Sequence, residues 1–113
     1  MAQKAEFVQH VLDLMAPLGA VKARAMFGGH GIYLREMIFA IIVDDRLYFK
    51  TDAMTQPGYK KLGLDHFTYI ARGRLVALQY HEAPPDVFES PEVMRSQALD
   101  ALGAASRARK GKK

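Results

Sequence analysis

The histidines are the first side chains of this sequence that could act in acid–base chemistry or bind a metal. They are His10, His30, His66 and His81. Their spacing contains no His-x-x-x-His pair, and the chain has no cysteine to complete a site. An isolated histidine is more often structural than a ligand. The sequence therefore predicts no metal and no cofactor. One alternative stays open: a small-ligand site around residues 27–33, with His30 or His81 as its polar group.

Carboxylates and hydroxyls give equally little sign of catalysis. Asp44, Asp45 and Arg46 stand between two apolar runs, where aspartates are typical of a turn. The serines of the chain lie in or beside the last predicted helix, in no Gly-x-Ser-x-Gly motif and without a neighbouring histidine. Because a cysteine nucleophile is also missing, we expect a protein that is not an enzyme.

Three glycines, Gly28, Gly29 and Gly31, form the densest motif of the chain. Glycine-rich loops bind phosphates where they lead into the N-terminus of a helix. Here a strand-like segment follows, and the Lys-Thr ending of a P-loop is missing. The glycines therefore predict a turn or bulge in which positive φ or close backbone packing excludes a side chain.

Aromatic and cationic side chains on the predicted strands are the main candidates for binding a partner. In the segment RLYFK, Tyr48 shares one side of its strand with Arg46 and Lys50, and this combination is frequent at protein interfaces. The other aromatic residues on predicted strands are Phe27, Tyr33, Phe39, Phe49, Phe67, Tyr69 and Tyr80. Their alternative role is packing within the sheet. Stacking on nucleic-acid bases is less favoured, because no continuous basic stripe follows the strands.

The formal net charge of +4 comes from the C-terminus. Residues 107–113 read RARKGKK, so eleven of the sixteen basic residues remain for positions 1–106, against twelve acidic ones. The candidate nucleic-acid contacts are Arg107, Arg109, Lys110, Lys112 and Lys113. Such a tail binds nucleic acid weakly, with a salt slope of about −0.9 per phosphate neutralised. The other interpretation is a solvated, disordered end.

Amphipathic helices are predicted at both ends of the chain. From residue 3 to 18 the apolar side chains recur every three or four positions, with Gly19 as the stop signal and Pro17 weakening the last turn. Near the other end, Ser90 is a typical N-cap and Pro91 a typical first helical residue.

Strands fill the region between these helices. They are predicted at residues 21–27, 30–35, 37–43, 46–50, 67–72 and 74–80, with a short helix near 59–62. The order α-β(3)-α-β(2)-α predicts an α+β fold with an antiparallel sheet of five or six strands. Residues 37–43 and 75–78 are apolar throughout, so both sheet faces need cover. Either the terminal helices lie on opposite faces, or another subunit or a partner closes the second face.

Length and composition set the class of protein. A chain of 113 residues, 50% hydrophobic and 25% charged, has the size and balance of one domain. We place this domain at residues 1–106 and the basic tail at 107–113. The longest apolar run, at 37–43, is far shorter than the ~20 residues that cross a bilayer. The first twenty residues include Lys4 and Glu6 and resemble no signal peptide. We therefore expect a cytoplasmic protein without membrane contact.

A family resemblance is carried by the segment RAMFGGHGIYLREMIFAIIVDDRLYFKTD. It resembles the N-terminal domain of the TfoX/Sxy family, bacterial regulators associated with competence for DNA uptake. Residues that fit the family pattern are Arg24, Met26, Phe27, Gly28, Gly29, Gly31 and Tyr33, then Asp44, Asp45, Leu47, Tyr48 and Lys50. The later segments 67–69 and 80–84 also fit, so the resemblance extends nearly to the basic tail.

The resemblance implies an α+β fold similar to that of secretion chaperones, in agreement with the predicted order of elements. It also implies a non-enzymatic module that binds proteins and co-regulates transcription of competence-type genes. The expected partner is a cyclic-AMP-receptor-type transcription factor. Because both faces of the predicted sheet are apolar, we also expect a homodimer. Longer members carry a helix-hairpin-helix domain after this one, and the present sequence ends before that point. The candidate partner-binding residues are Arg24, Met26, Phe27, Gly28, Gly29, Gly31, Tyr33, Asp45, Arg46, Tyr48, Lys50, Tyr69 and Tyr80.

Overall fold

The protein is an α+β structure in a computed structural model that describes residues 5–26 and 28–111, where six strands form one antiparallel sheet. The helices are α1 (Ala5–Met15), α2 (Gln56–Lys61) and α3 (Pro91–Gly111). The strands are β1 (Val21–Met26), β2 (Gly29–Leu34), β3 (Met37–Val43), β4 (Arg46–Lys50), β5 (His66–Ala71) and β6 (Arg74–Glu82). Short 3-10 helices occupy Ala16–Leu18 and Pro85–Phe88. The predicted fold class is therefore confirmed.

The strand order in the sheet is β1-β2-β3-β4-β6-β5, so that β1 and β5 form its two edges. The first four strands are a meander joined by two-residue turns. Both central residues of the β3–β4 turn, Asp44 and Asp45, have positive φ, as have Arg35 and Glu36 in the β2–β3 turn. Two consecutive positive φ angles give the hairpin turn whose twist matches that of the strands. The aspartates thus act as turn residues, as predicted.

Helices α1 and α3 pack on each other and on the same face of the sheet. The core residues with the most completely buried large side chains are Val11 and Met15 from α1, Met94 from α3, and Ile32, Phe39, Ile42, Leu47 and Phe49 from the sheet. On α3 the alanines Ala98, Ala101 and Ala105 let the helix approach the strands closely. Of the two alternatives that the sequence left open, opposite placement of the terminal helices is therefore wrong.

Strand β3 is apolar at every position because its side chains enter apolar clusters on both faces of the sheet, and a register shift changes their alternation. Ile32 of β2 pairs with Ala40, whereas the next residue, Tyr33, pairs with Ile38, so Phe39 is an extra residue. A bulge of this kind puts two successive side chains on one side of the strand. Phe39 and Ala40 both enter the core under the helices, while Ile41 belongs to a second apolar cluster.

The boundaries of α3 and α2 differ from the prediction. The N-cap of α3 is confirmed, because the Ser90 hydroxyl accepts the amide N–H of Val93 at 3.3 Å. The helix then continues through Arg107 to Gly111, where a disordered tail was expected. Arg and Lys are good helix formers, and cations are favourable at a helix C-terminus. Helix α2 starts three residues earlier than predicted, after a turn closed by Asp52.

The terminal regions complete the comparison with the sequence. Helix α1 gives way at Pro17 to a 3-10 turn, as the proline implies. Lys112 and Lys113 lie outside the described residues, as does Phe27. In the ranges 5–26 and 28–111, no helix combines the length and apolar character needed to cross a membrane.

Candidate interaction surface

The sheet face turned away from α1 and α3 is the candidate functional site, and we call it the open face. No helix in the described part of the chain packs over it. Strand alternation and register assign to it Lys22, Arg24, Met26, Tyr33, Ile38, Ile41, Val43, Arg46, Tyr48, Lys50, Phe67, Tyr69, Leu78, Tyr80 and Glu82. The open face thus collects side chains from all six strands.

Aromatic rings form the centre of the open face. The rings of Tyr48 and Phe67 meet edge to face with centroids 5.1 Å apart, and Tyr69 stacks beyond Phe67 at 6.2 Å. Ile41, Phe67 and Tyr80 are buried by their neighbours, whereas Tyr69 is 38% exposed. Because aromatic pairs of this geometry are favourable in themselves, the centre is a preformed apolar cluster, of which Tyr69 is the exposed member.

Cations lie around and across these rings. The Arg24 guanidinium is 5.0 Å from the centroid of the Tyr33 ring, and Lys50 Nζ is 5.1 Å from that of Tyr80. Such cation–π contacts hold the charged groups flat against the rings. Arg46 donates to a Glu82 carboxylate oxygen at 3.3 Å, in an exposed ion pair. The face therefore combines an apolar centre with a cationic rim.

The hydroxyls of Tyr48 and Tyr80 on the open face have raised pKa values. Burial, followed by the nearby Tyr33, raises the pKa of Tyr80 to about 12. The pKa of Tyr48 is also raised, first by burial and then by the Glu82 carboxylate, while Arg46 opposes these effects. These phenols therefore offer hydrogen-bonding groups without adding negative charge.

Most of the predicted partner-binding residues meet on this one face. The side chains brought together there are Arg24, Met26, Tyr33, Arg46, Tyr48, Lys50, Tyr69 and Tyr80. Asp45 lies in the β3–β4 turn and Gly28 in the β1–β2 turn, both at the margin. Phe27 lies outside the described residues. Sequence alternation indicated a common side for Arg46, Tyr48 and Lys50, which occupy every second position of β4, whereas the other residues were predicted from their type or from the family resemblance.

The glycine motif has a structural explanation at each described position. Gly28 has φ of 73°, which other residues rarely adopt. A Cβ on Gly29 would collide with the carbonyl oxygen of Ile42 on β3. A Cβ on Gly31 would meet the Met26 Sδ at 2.8 Å and the tip of Ile38 at 2.9 Å. The packing at Gly29 and Gly31 therefore explains these glycines by the close approach of neighbouring groups, and the small-ligand site considered for this segment stays a prediction.

A histidine pair that the sequence did not reveal lies on the other side of the sheet. His66 and His81 face each other across β5 and β6, with ring centroids 4.0 Å apart. His81 Nδ1 is 2.8 Å from the Thr51 hydroxyl, and His66 Nε2 is 3.4 Å from the Gln56 amide nitrogen. His30 sits on β2, with β3 and β4 between it and β6, so it does not pair with His81. Among the described residues, no group of three or more His, Asp or Glu is arranged for a metal.

The hairpin geometry explains why this pair was missed. The β5–β6 turn pairs Ala71 with Arg74, and a regular ladder from that point would place His66 opposite Gln79. An irregularity between His66 and Thr68 shifts the register, so that His66 meets His81. No local sequence signal marks this shift.

A cavity of about 530 Å³ lies between α2 and α3, away from the glycine motif. Its walls include Met54, Leu62 and Leu99, and the Tyr59 hydroxyl donates to Gln97 Oε1 at 3.0 Å at its base. Burial, then the Asp100 carboxylate, strongly raises the pKa of Tyr59, which therefore stays neutral. The cavity is open and mixed in polarity, and of its lining residues only Arg107 was among the predicted site residues, as a candidate nucleic-acid contact.

The C-terminal cations fall into two groups. Arg107 Nε donates to Asp52 Oδ2 at 2.6 Å, which ties α3 to the turn before α2. The exposed Arg109 and Lys110 follow on the last turns of the helix. Arg107 therefore has a structural role that the tail interpretation did not include.

Comparison with known proteins agrees with this architecture. The profile of the TfoX N-terminal domain matches residues 13–105. This chain belongs to the TfoX N-terminal domain family. The match includes all six strands and hence the complete open face of the domain. The DNA transformation protein TfoX1 of Aliivibrio fischeri is 22% identical over 94 residues, which are 83% of this chain and 45% of that protein. The chain thus spans a little under half the length of this curated relative.

Proposed function

We propose that this TfoX N-terminal domain is a cytoplasmic protein-interaction module without catalytic activity, and that it docks a transcription factor on its open face. The observation that carries the proposal is the pairing of a preformed aromatic centre, around Tyr48 and Phe67, with a cationic rim on a face that no described helix covers. Interfaces concentrate their binding energy in buried tyrosine and arginine side chains surrounded by a polar rim.

The charges of the rim define the chemistry of the partner. Lys22, Arg24, Arg46 and Lys50 contribute four positive charges to the open face, and two carboxylates lie beside them: Glu36 pairs with Arg24 at 3.5 Å, and Glu82 pairs with Arg46 at 3.3 Å. A complementary surface therefore has an apolar patch bordered by carboxylates. Complementary charge of this kind steers association and selects the partner more than it raises affinity.

Relationship to the family supports a role in gene regulation. The relative from A. fischeri is named a DNA transformation protein. We infer a co-regulator of competence-type genes from the resemblance to its family. The partner that we infer is a transcription factor of the cyclic-AMP-receptor type. In this role the domain supplies binding surface alone, which agrees with the absence of catalytic motifs from its sequence.

The test is a direct binding measurement between the purified chain and the purified cyclic-AMP receptor protein of the same organism, without DNA. Arg46→Glu reverses a rim charge whose side chain is 61% exposed, so the fold is retained. We expect at least tenfold weaker binding, because the new carboxylate faces Glu82 and the acidic rim of the partner.

Arg95→Glu is the matched control, since it makes the same charge change at an exposed position of α3. It should bind like the unaltered chain. No binding by the unaltered chain would refute the inferred partner. Equal loss in both variants would mean that net charge alone, rather than the open face, determines binding.

A second candidate function is weak nucleic-acid binding through the C-terminal cations, which the exposed Arg109 and Lys110 favour. Ending the chain after Arg107 removes four cations and keeps the Arg107–Asp52 contact that holds α3. If this function is correct, the shortened chain loses DNA binding, and the salt slope of the full chain is at most about −0.9 per phosphate neutralised. If the shortened chain binds DNA as well as the full chain, the C-terminal tail is not the DNA-binding segment.

A further inference from the structure

The two edges of the sheet differ in how they are protected. Edge strands present unpaired backbone groups, and proteins protect them with charged side chains, proline or a covering element. Edge strand β1 carries Lys22 and Arg24. Edge strand β5 has the sequence HFTYIA, with no lysine, arginine, acid or proline, and within the described residues only β6 lies beside it. Strand β5 is therefore the unprotected edge.

Apolar side chains at the same edge are exposed. Ile70 is 67% exposed and pairs across the hairpin with Leu75, which is 71% exposed. Thr68 and Tyr69, in the middle of β5, are exposed as well. Large aliphatic side chains with such exposure, side by side on a free strand edge, are typical of a surface that becomes buried on association.

We propose that β5 pairs antiparallel with β5 of a second copy, about a two-fold axis perpendicular to the sheet near Thr68. An identical edge is self-complementary under such an axis, which is the usual symmetry of a homodimer. The two six-stranded sheets become one continuous sheet, in which the free N–H and C=O groups of β5 are hydrogen-bonded. The axis leaves the helices of both copies on the same side.

Charges at the ends of β5 match this arrangement. Asp65 precedes the strand, and Arg72 follows it, both exposed. In an antiparallel pair centred on Thr68, Asp65 of one copy lies opposite Ala71 of the other and one position from its Arg72, twice in the dimer. Opposite charges on neighbouring strands favour this orientation, whereas parallel pairing would place like charges side by side.

The β5 dimer uses the backbone edge of β5, whereas the docking of a partner uses side chains of the open face, to which β5 contributes Phe67 and Tyr69. Pairing occurs at the edge of β5, while Arg46 and Tyr48 lie on β4 in the middle of the open face. Both copies keep their open faces on one side of the continuous sheet. Failure of either proposal therefore leaves the other intact, because the dimer is measured without any partner.

The first experiment measures the mass of the full chain in solution as a function of concentration, by light scattering and sedimentation. We expect a shift from one chain of 12.6 kDa toward two as concentration rises. Ile70→Lys should remain a single chain at every concentration, since it adds an edge lysine to each copy. Ala25→Lys is the matched control at an exposed position of edge strand β1 and should behave like the unaltered chain.

The second experiment uses the absence of cysteine from the chain. With Thr68→Cys, the two thiols of a dimer lie close to the axis, so mild oxidation should give a disulfide-linked dimer in high yield. Ala25→Cys should give little disulfide-linked dimer under the same conditions. A chain of monomer mass at all concentrations would overturn the proposal, as would a dimer that persists in Ile70→Lys, or equal cross-linking of the two cysteine variants.

Discussion

His66 and His81 lie with their ring centroids 4.0 Å apart on neighbouring strands β5 and β6, although fifteen positions of sequence separate them. The His81 side chain is buried and its Nδ1 is 2.8 Å from the Thr51 hydroxyl. Burial, then His66 and Lys60, lower the pKa of His81 from its usual 6.5, while Asp65 opposes them. The surroundings of His81 therefore favour its neutral form.

The first prediction is that acid destabilises the fold through His81. Between the lowered pKa of the folded state and about 6.5, the unfolded chain binds a proton that the folded chain does not, so the free energy of unfolding rises with pH. Stability should therefore fall as the pH drops from 7 to 5. His81→Gln removes the titrating group and should flatten this dependence in urea unfolding curves recorded across that range.

His10→Gln is the control for the loss of a histidine, because His10 is exposed on α1. It should retain the pH dependence of the unaltered chain. A His81→Gln variant that also retains it would show that acid acts on another group.

Much of the fold could be predicted because the local signals agree with the final structure. The strand runs at β3 and β4 match the observed bounds, since positive-φ turns at Asp44 and Asp45 interrupt the apolar pattern at a fixed place. The open face could be predicted in part, because Arg46, Tyr48 and Lys50 alternate with core residues. These features depend on residues that are neighbours in the sequence.

What could not be predicted depends on contacts between distant segments. The apolar stripe of an amphipathic helix does not indicate which face of the sheet the helix covers. The sequence therefore could not show that α1 and α3 pack on the same face. The contact that ties Arg107 of α3 to the rest of the fold involves Asp52, which lies 55 positions earlier in the sequence. The meeting of His66 with His81 depends on an irregular register that has no local signature.

The second prediction compares the loss of stability when alanine replaces glycines that have different amounts of space around them. Gly29→Ala should destabilise the fold by roughly 1–3 kcal/mol, because the added methyl group collides with the backbone carbonyl of Ile42, which cannot move alone. Gly31→Ala should cost less, since its neighbours are the flexible ends of side chains. Denaturant unfolding curves of both variants measure which loses more free energy of unfolding.

Gly58→Ala is the matched control on α2, where a Cβ meets open space. Alanine is the better helix former, so the free energy of unfolding should rise by about 0.4–1 kcal/mol. A Gly29→Ala variant as stable as Gly58→Ala would contradict the close packing of β2 on β3.

The third prediction concerns Asp52, whose carboxylate has two roles. Its Oδ1 accepts the backbone N–H groups of Met54 and Thr55 at 3.1 and 3.2 Å, and its Oδ2 accepts Arg107. Asp52→Ala should cost about 1–2 kcal/mol, because both roles are lost. Asp52→Asn keeps the turn hydrogen bonds and loses only the exposed ion pair, so it should cost less than about 1 kcal/mol.

Acid should weaken the same contact. Hydrogen bonding from Arg107 lowers the pKa of Asp52 from 3.8, so its stabilising contribution is complete above that value and is lost as the pH falls below it. Circular dichroism at 222 nm, compared between the chain and Asp52→Asn, measures this loss. Equal acid unfolding of the two would contradict a role for the ionised carboxylate.

The last prediction separates stability from binding at two adjacent residues. Phe49 is buried in the core under α3, and its neighbour Tyr48 lies on the open face, half-buried against Phe67. Phe49→Leu removes apolar contacts and should cost about 2 kcal/mol, while the folded protein keeps its open face. Tyr48→Ala should cost about 1 kcal/mol but weaken binding of the transcription factor at least tenfold, because it removes an aromatic anchor from the centre of the surface. Titration of the partner, with unfolding curves of both variants, compares the two effects. If Phe49→Leu weakens binding as much as Tyr48→Ala under conditions where both are folded, the partner does not dock on the open face.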